Sequence, residues 1–184
     1  MSSMRWPVTI ALVVLALVLQ VSLFPHIAPG WIGHGVVPNL CLLVVVAAAL
    51  VRGPEQAAVL GFVTGVLLDL APPADHVAGR WALALVLVGY VAGRMRPEPG
   101  SGEGSRPHVR PSATAVIATV AASSFVGTSV YAISGLLLQD PVVSVGDLLP
   151  VILASVVWDV LLTPLVLPGL MRLFTALEPR PVRV

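Results

Sequence analysis

Residues 55–73 read EQAAVLGFVTGVLLDLAPP, and residues 155–168 read SVVWDVLLTPLVLP. Each run carries one aspartate, Asp69 or Asp159, in surroundings so apolar that the segment belongs in or against membrane hydrocarbon, where a carboxylate is costly. In the first run Ala57, Gly61, Gly65 and Asp69 recur every four residues and therefore share one helix face. Overlapping small-xxx-small steps let two helices approach closely, which places Asp69 beside protein instead of lipid. In the second run Ser155, Asp159 and Thr163 repeat the spacing, making a polar stripe on a helix otherwise built of Val and Leu. The two runs together predict an all-α membrane protein whose polar groups point into a helix bundle.

Composition agrees. The 184 residues are 57% hydrophobic and 10% charged, with a mean hydropathy of +0.97, whereas soluble domains hold about 45–50% apolar residues. The long apolar runs lack the period-two alternation of membrane barrels, so one integral domain of helices is expected over residues 1–184. All ten basic residues are arginine and the net charge is +1, leaving no basic tract that would favour nucleic acid. The single cysteine, Cys41, lies in NLCLLVVVAAAL and reads as a small hydrophobe. The run from Pro7 to Phe24 is longer than a signal-peptide core and has no A-x-A site after it, so it reads as a retained first helix.

A membrane-spanning helix needs about 20 mostly apolar residues. Six segments qualify: Pro7 to Phe24, Gly35 to Val51, Glu55 to Ala71, Val77 to Met95, Ser112 to Leu138, and Asp147 to Phe174. The fourth is the weakest, since only Trp81 to Gly93 is free of charge; Arg80 and Arg94 are expected to snorkel outward from its ends. Turn-rich stretches separate the segments, and RMRPEPGSGEGSRPHVRP (94–111) has the composition of a flexible solvated loop, centred on about residues 96–111. With the N-terminus inside, nine of the ten arginines fall on the cytoplasmic side and only Arg80 falls outside. The positive-inside rule therefore puts both termini in the cytoplasm.

At about 1.5 Å per residue, Asp159 lies roughly 18 Å along its helix from Asp147, and Asp69 lies roughly 21 Å from the cytoplasmic end of its own. Neighbouring helices would let the two acids meet in one polar cluster in the outer half. Ser123, Gly127, Tyr131 and Gly135 form a comparable face in the fifth segment, and Gly89 with Gly93 a weaker one in the fourth. Pro164 and Pro168 are expected to kink the sixth. The favoured role of the acids is to fasten helices by hydrogen bonds; a proton or ion path and contact with another subunit stand as alternatives.

Catalytic chemistry is not visible in the chain. His26, His34, His76 and His108 all fall in or beside predicted loops, Ser and His form no nucleophilic pair, and the GSGEG tract follows no strand. No enzyme activity, metal or cofactor is expected.

The ordered landmarks PNLCLLVVVAAALVRGPEQAAVLGFVTGVLLDLAPP (38–73), RWALALVLVGYVAGR (80–94) and VVWDVLLTPLVLP (156–168) resemble the bacterial rod shape-determining protein MreD family. The matching positions are Pro38, Asn39, Arg52, Gly53, Gly61, Gly65, Asp69, Asp159, Thr163 and Pro164, and the resemblance implies that they organise the bundle. Trp158 stands where the family pattern has a tyrosine. The resemblance implies a non-enzymatic scaffold of the cell elongation complex in the bacterial inner membrane. Its expected partners are MreC and, through it, MreB, the glycosyltransferase RodA and a class B penicillin-binding transpeptidase. The family in turn resembles the six-helix substrate-binding components of energy-coupling-factor transporters. The alternative from a different class is therefore a small-molecule binding subunit of a transporter, with Asp69, Asp159, Asn39 and Tyr131 lining a pocket.

Overall fold

The structure is a computed structural model and describes residues 5–22, 37–72, 77–96, 112–139, 146 and 148–178. These residues form six helices and no strand: α1 (Arg5–Ser22), α2 (Leu40–Arg52), α3 (Pro54–Asp69), α4 (Arg80–Arg94), α5 (Ala113–Leu137) and α6 (Leu148–Leu177). Residues 97–111 of the expected flexible loop and all four histidines lie outside the described residues.

Helix starts are set by small local devices. Asn39 caps α2: its side-chain oxygen accepts the Leu42 N–H at 2.9 Å and its carbonyl accepts the Leu43 N–H at 3.1 Å. Apolar content alone predicts a start near Gly35, but residues 37–39 are non-helical and the helix opens at Leu40. A single residue, Gly53 (φ 90°), separates α2 from α3, and Pro54 takes the first position of α3. The fourth helix likewise begins later than predicted, at Arg80 instead of Val77, after Gly79 in the left-handed region (φ 99°). Ser112 caps α5 by accepting the Ala115 N–H at 3.1 Å.

Residue pairings show that the helices alternate in direction. Gln20 meets Cys41 while Thr9 meets Arg52, so α1 and α2 are antiparallel; Asn39 meets Asp159 while Arg52 meets Glu178, so α2 and α6 run parallel. Around α2 stand α1, α3, α4, α5 and α6. Every residue of α2 from Leu40 to Leu50 is buried, as expected of a helix apolar on all sides.

Contact between α3 and α4 is the closest in the bundle and is made through glycines. A methyl on Gly61 would strike the Leu85 carbonyl, and one on Gly65 would strike the Ala82 backbone. The relation is reciprocal: a methyl on Gly89 would strike the Ala57 carbonyl, and one on Gly93 the Pro54 backbone. The Gly89/Gly93 pair, read as the weaker face in sequence, packs as closely as the Gly61/Gly65 pair. On α5, a methyl on Gly127 would lie 2.8 Å from the Val88 side chain.

Two helices, α5 and α6, are long and apolar enough to cross a membrane, while α1 and α2 are shorter apolar helices. Although Pro164 and Pro168 lie inside α6, it is one continuous helix of 30 residues; the predicted kink does not divide it.

Candidate functional site

The N-terminus of α2 sits inside the bundle, where its first N–H groups have no carbonyl of their own helix to bond. Two other helices supply acceptors, and a third holds one of those acceptors in place. From α6, Asp159 accepts the Asn39 N–H on Oδ1 at 2.7 Å; from α1, Gln20 Oε1 accepts the Cys41 N–H at 3.1 Å. From α5, the Ser124 hydroxyl donates to Asp159 Oδ2 at 2.7 Å. Asp159 and Ser124 are buried, so these bonds form away from solvent. A carboxylate at a helix N-terminus also meets the positive end of the helix dipole.

Asp69 does the same for α4. Its Oδ2 accepts the N–H groups of Gly79 (2.9 Å) and Ala82 (3.1 Å), and its Oδ1 accepts that of Trp81 (3.1 Å). Gly79 has no side chain with which to cap the helix it opens, and the last residue of α3 fills the role. Ala57, Gly61 and Gly65 bring α3 close enough for this, because the same face that carries Asp69 presses on α4.

The two acids do not form the single cluster that neighbouring helices would have allowed. Asp69 belongs to the α3–α4 contact, Asp159 to the meeting of α2, α5 and α6, and α3 and α6 do not pack on each other. The residues that the transporter alternative would gather in a pocket, Asp69, Asp159, Asn39 and Tyr131, are likewise divided. Asn39 goes with Asp159, whereas Tyr131 packs over Arg80 and Trp81 near the Asp69 end of α4.

Arg80 departs from its predicted role. Instead of snorkelling outward it is buried, 2% exposed, with its guanidinium carbon 4.0 Å from the centre of the Tyr131 ring. One of its Nη groups donates to the Tyr131 carbonyl at 3.0 Å, and Trp81 stacks on the same tyrosine at 4.3 Å between ring centres. This cation–π stack joins α4 to α5.

At the opposite end of α2, Arg52 reaches both flanking helices. Its Nε donates to Glu178 Oε1 at 3.1 Å, its Nη2 donates to Thr9 Oγ1 at 3.3 Å, and its guanidinium lies 4.9 Å from the Phe174 ring centre. Helix α2 is thus gripped at both ends by α1 and α6.

The remaining sequence-predicted positions have smaller parts. Pro38 is buried directly before the Asn39 cap. Thr163 donates to the Asp159 carbonyl at 2.7 Å, one residue before Pro164, whose ring faces outward. Ser155 is not part of the Asp159 group: it is half-buried and donates to the Val151 carbonyl of its own helix at 2.9 Å. The polar stripe on α6 therefore narrows to Asp159 and Thr163.

Sequence reading missed Gln20, Ser124 and the Arg80–Trp81–Tyr131 stack. Gln20 had a usable signal, being the one amide in the first apolar run. Ser124 adjoins Ser123, the residue assigned to the inner face, and a helix turn of about 100° per residue separates the two. Among the described residues no three His, Cys, Asp or Glu side chains gather where a metal ion would be held. The arrangement binds helices to one another, since the oxygens of both carboxylates already accept protein hydrogen bonds. No family model, curated protein or solved structure matches the chain.

Proposed function

We propose that this chain is a multi-pass scaffold of a bacterial inner membrane, its six helices forming one bundle with both termini in the cytoplasm. In this reading it is a non-enzymatic subunit of the elongation complex. It binds MreC and through it supports MreB, RodA and a class B penicillin-binding transpeptidase in building the lateral wall.

The observation that carries the membrane reading is an inverted distribution of polarity. Asp69, Asp159, Ser124 and Thr163 are buried, while the outer surface presents residues such as Leu165 (81% exposed), Leu137 (79%), Val157 and Phe62. Water-soluble monomers rarely expose continuous apolar surface of that kind; lipid accepts it. The short helices fit a bilayer on the same terms, because non-helical backbone at membrane depth is tolerated where protein groups bond it. Asp69 and Asp159 bond it at the starts of α4 and α2.

The scaffold reading is supported by the use of both acids as fasteners and by the ordered MreD-like landmarks from Pro38 to Pro168. A protein with most of its mass in helices meets partners chiefly through helix faces. The test is co-expression with MreC, extraction in mild detergent and affinity purification, beside deletion of the gene. A stable complex and rounded cells are expected. If no complex is recovered and cell shape is unchanged, the proposal fails.

A further inference from the structure

We infer that the end of the bundle where α2, α4 and α6 finish carries a binding rim for anionic phospholipid headgroups, formed by Arg94, Arg96 and Arg172. The inference rests on the membrane reading and goes beyond it by assigning a lipid class to particular side chains.

The described arginines divide sharply by place and by partner. Arg80, at the start of α4, is buried on Tyr131, and Arg52 is engaged by Glu178 and Thr9. Arg94 and Arg172 are exposed and Arg96 is half-exposed. Among the described residues none of these three has a carboxylate or other hydrogen-bond partner. The alternating helix directions put the ends of α4 and α6 on the same side of the bundle, and both helices pack on α5, so the three cations lie at one level. Glu55, at the start of α3, is an exposed acid on the same side, which leaves the rim with an excess of positive charge.

The rim also lies at the right level. Met95 (43% exposed) separates Arg94 from Arg96, and Leu173 follows Arg172, so each cation borders the apolar outer surface. Trp6, half-exposed near the start of α1, lies at the same end, and tryptophan is enriched where hydrocarbon meets headgroups. A guanidinium placed there offers a fork of N–H donors that matches a phosphate diester. Because a zwitterionic headgroup neutralises its own phosphate, the uncompensated cations favour lipids with net negative charge.

The test reconstitutes the full-length chain in bilayers of equal phosphatidylglycerol and phosphatidylcholine, re-extracts it gently, and counts retained lipids by mass spectrometry. Phosphatidylglycerol is expected to be enriched roughly threefold or more in the wild type, to stay enriched when all three arginines become lysine, and to fall to near parity when all three become glutamine. Parity in the wild type, or equal behaviour of the lysine and glutamine variants, overturns the inference. A carbonate wash of the same membranes reads the underlying assumption separately. Release of the wild type by carbonate sinks the membrane reading itself, whereas a retained protein without lipid preference sinks only the rim.

Discussion

Asp69 and Asp159 do the same chemistry in two different settings. Asp69 closes a contact between sequence neighbours, taking three backbone N–H groups that lie 10 to 13 residues away. Asp159 joins parts of the chain 120 and 35 residues distant, and one of its partners is a hydroxyl. The first acid finishes a hairpin that its glycines already hold together; the second gathers helices that are far apart in the chain. Partner type also sets how each site answers to losing its charge, because a backbone N–H can only donate, while a serine hydroxyl can reverse and accept.

The largest effect is therefore expected for Asp69→Asn. Its amide nitrogen must face a backbone N–H whichever way the group turns, and the cost is about 2–4 kcal/mol. A lowered unfolding midpoint in detergent is the measurement. Next comes Gly61→Ala, whose methyl meets the Leu85 carbonyl. Separating two backbones costs about 1–3 kcal/mol, visible in the same assay, and a neutral result would mean that α3 and α4 are not in close contact. Asp159→Asn should cost only about 1 kcal/mol, because its amide donates to Ser124 while its oxygen keeps the Asn39 N–H. If Asp159→Asn proves more damaging than Asp69→Asn, the contrast drawn from partner type is wrong. The smallest pair separates adjacent serines: Ser124→Ala should lose about 1 kcal/mol, and Ser123→Ala close to none, since the buried Ser123 hydroxyl has no partner among the described residues.

Much of this comparison was readable in the sequence, though unevenly. The face of Ala57, Gly61, Gly65 and Asp69 follows from helix periodicity alone, and so does the alignment of Asp159 with Thr163. Periodicity states which residues share a side and leaves open which helix that side meets. Hence a meeting of the two acids depended on whether their helices were neighbours, and the helix ends they bond were not foreseen. Arg80 was misjudged for a related reason: a charge at the border of an apolar run normally reaches for water, and only the proximity of Tyr131 gives it somewhere to go inside. The start of α2 was placed too early because apolar content continues past the point where Asn39 caps the helix. Ser155 was included on spacing, yet its hydroxyl finds a nearer acceptor one turn back in its own helix.

The full burial of α2 has a consequence for how this chain tolerates change. Helices with a lipid-facing side should accept substitutions on a cycle of about 3.6 residues, permissive outside and strict within. Along Leu40 to Leu50 that rhythm should vanish, with every position resisting enlargement to a similar degree. Its backbone amides should also be the slowest in the protein to trade hydrogen for deuterium, outlasting those of α1, because exposing them requires the surrounding helices to part.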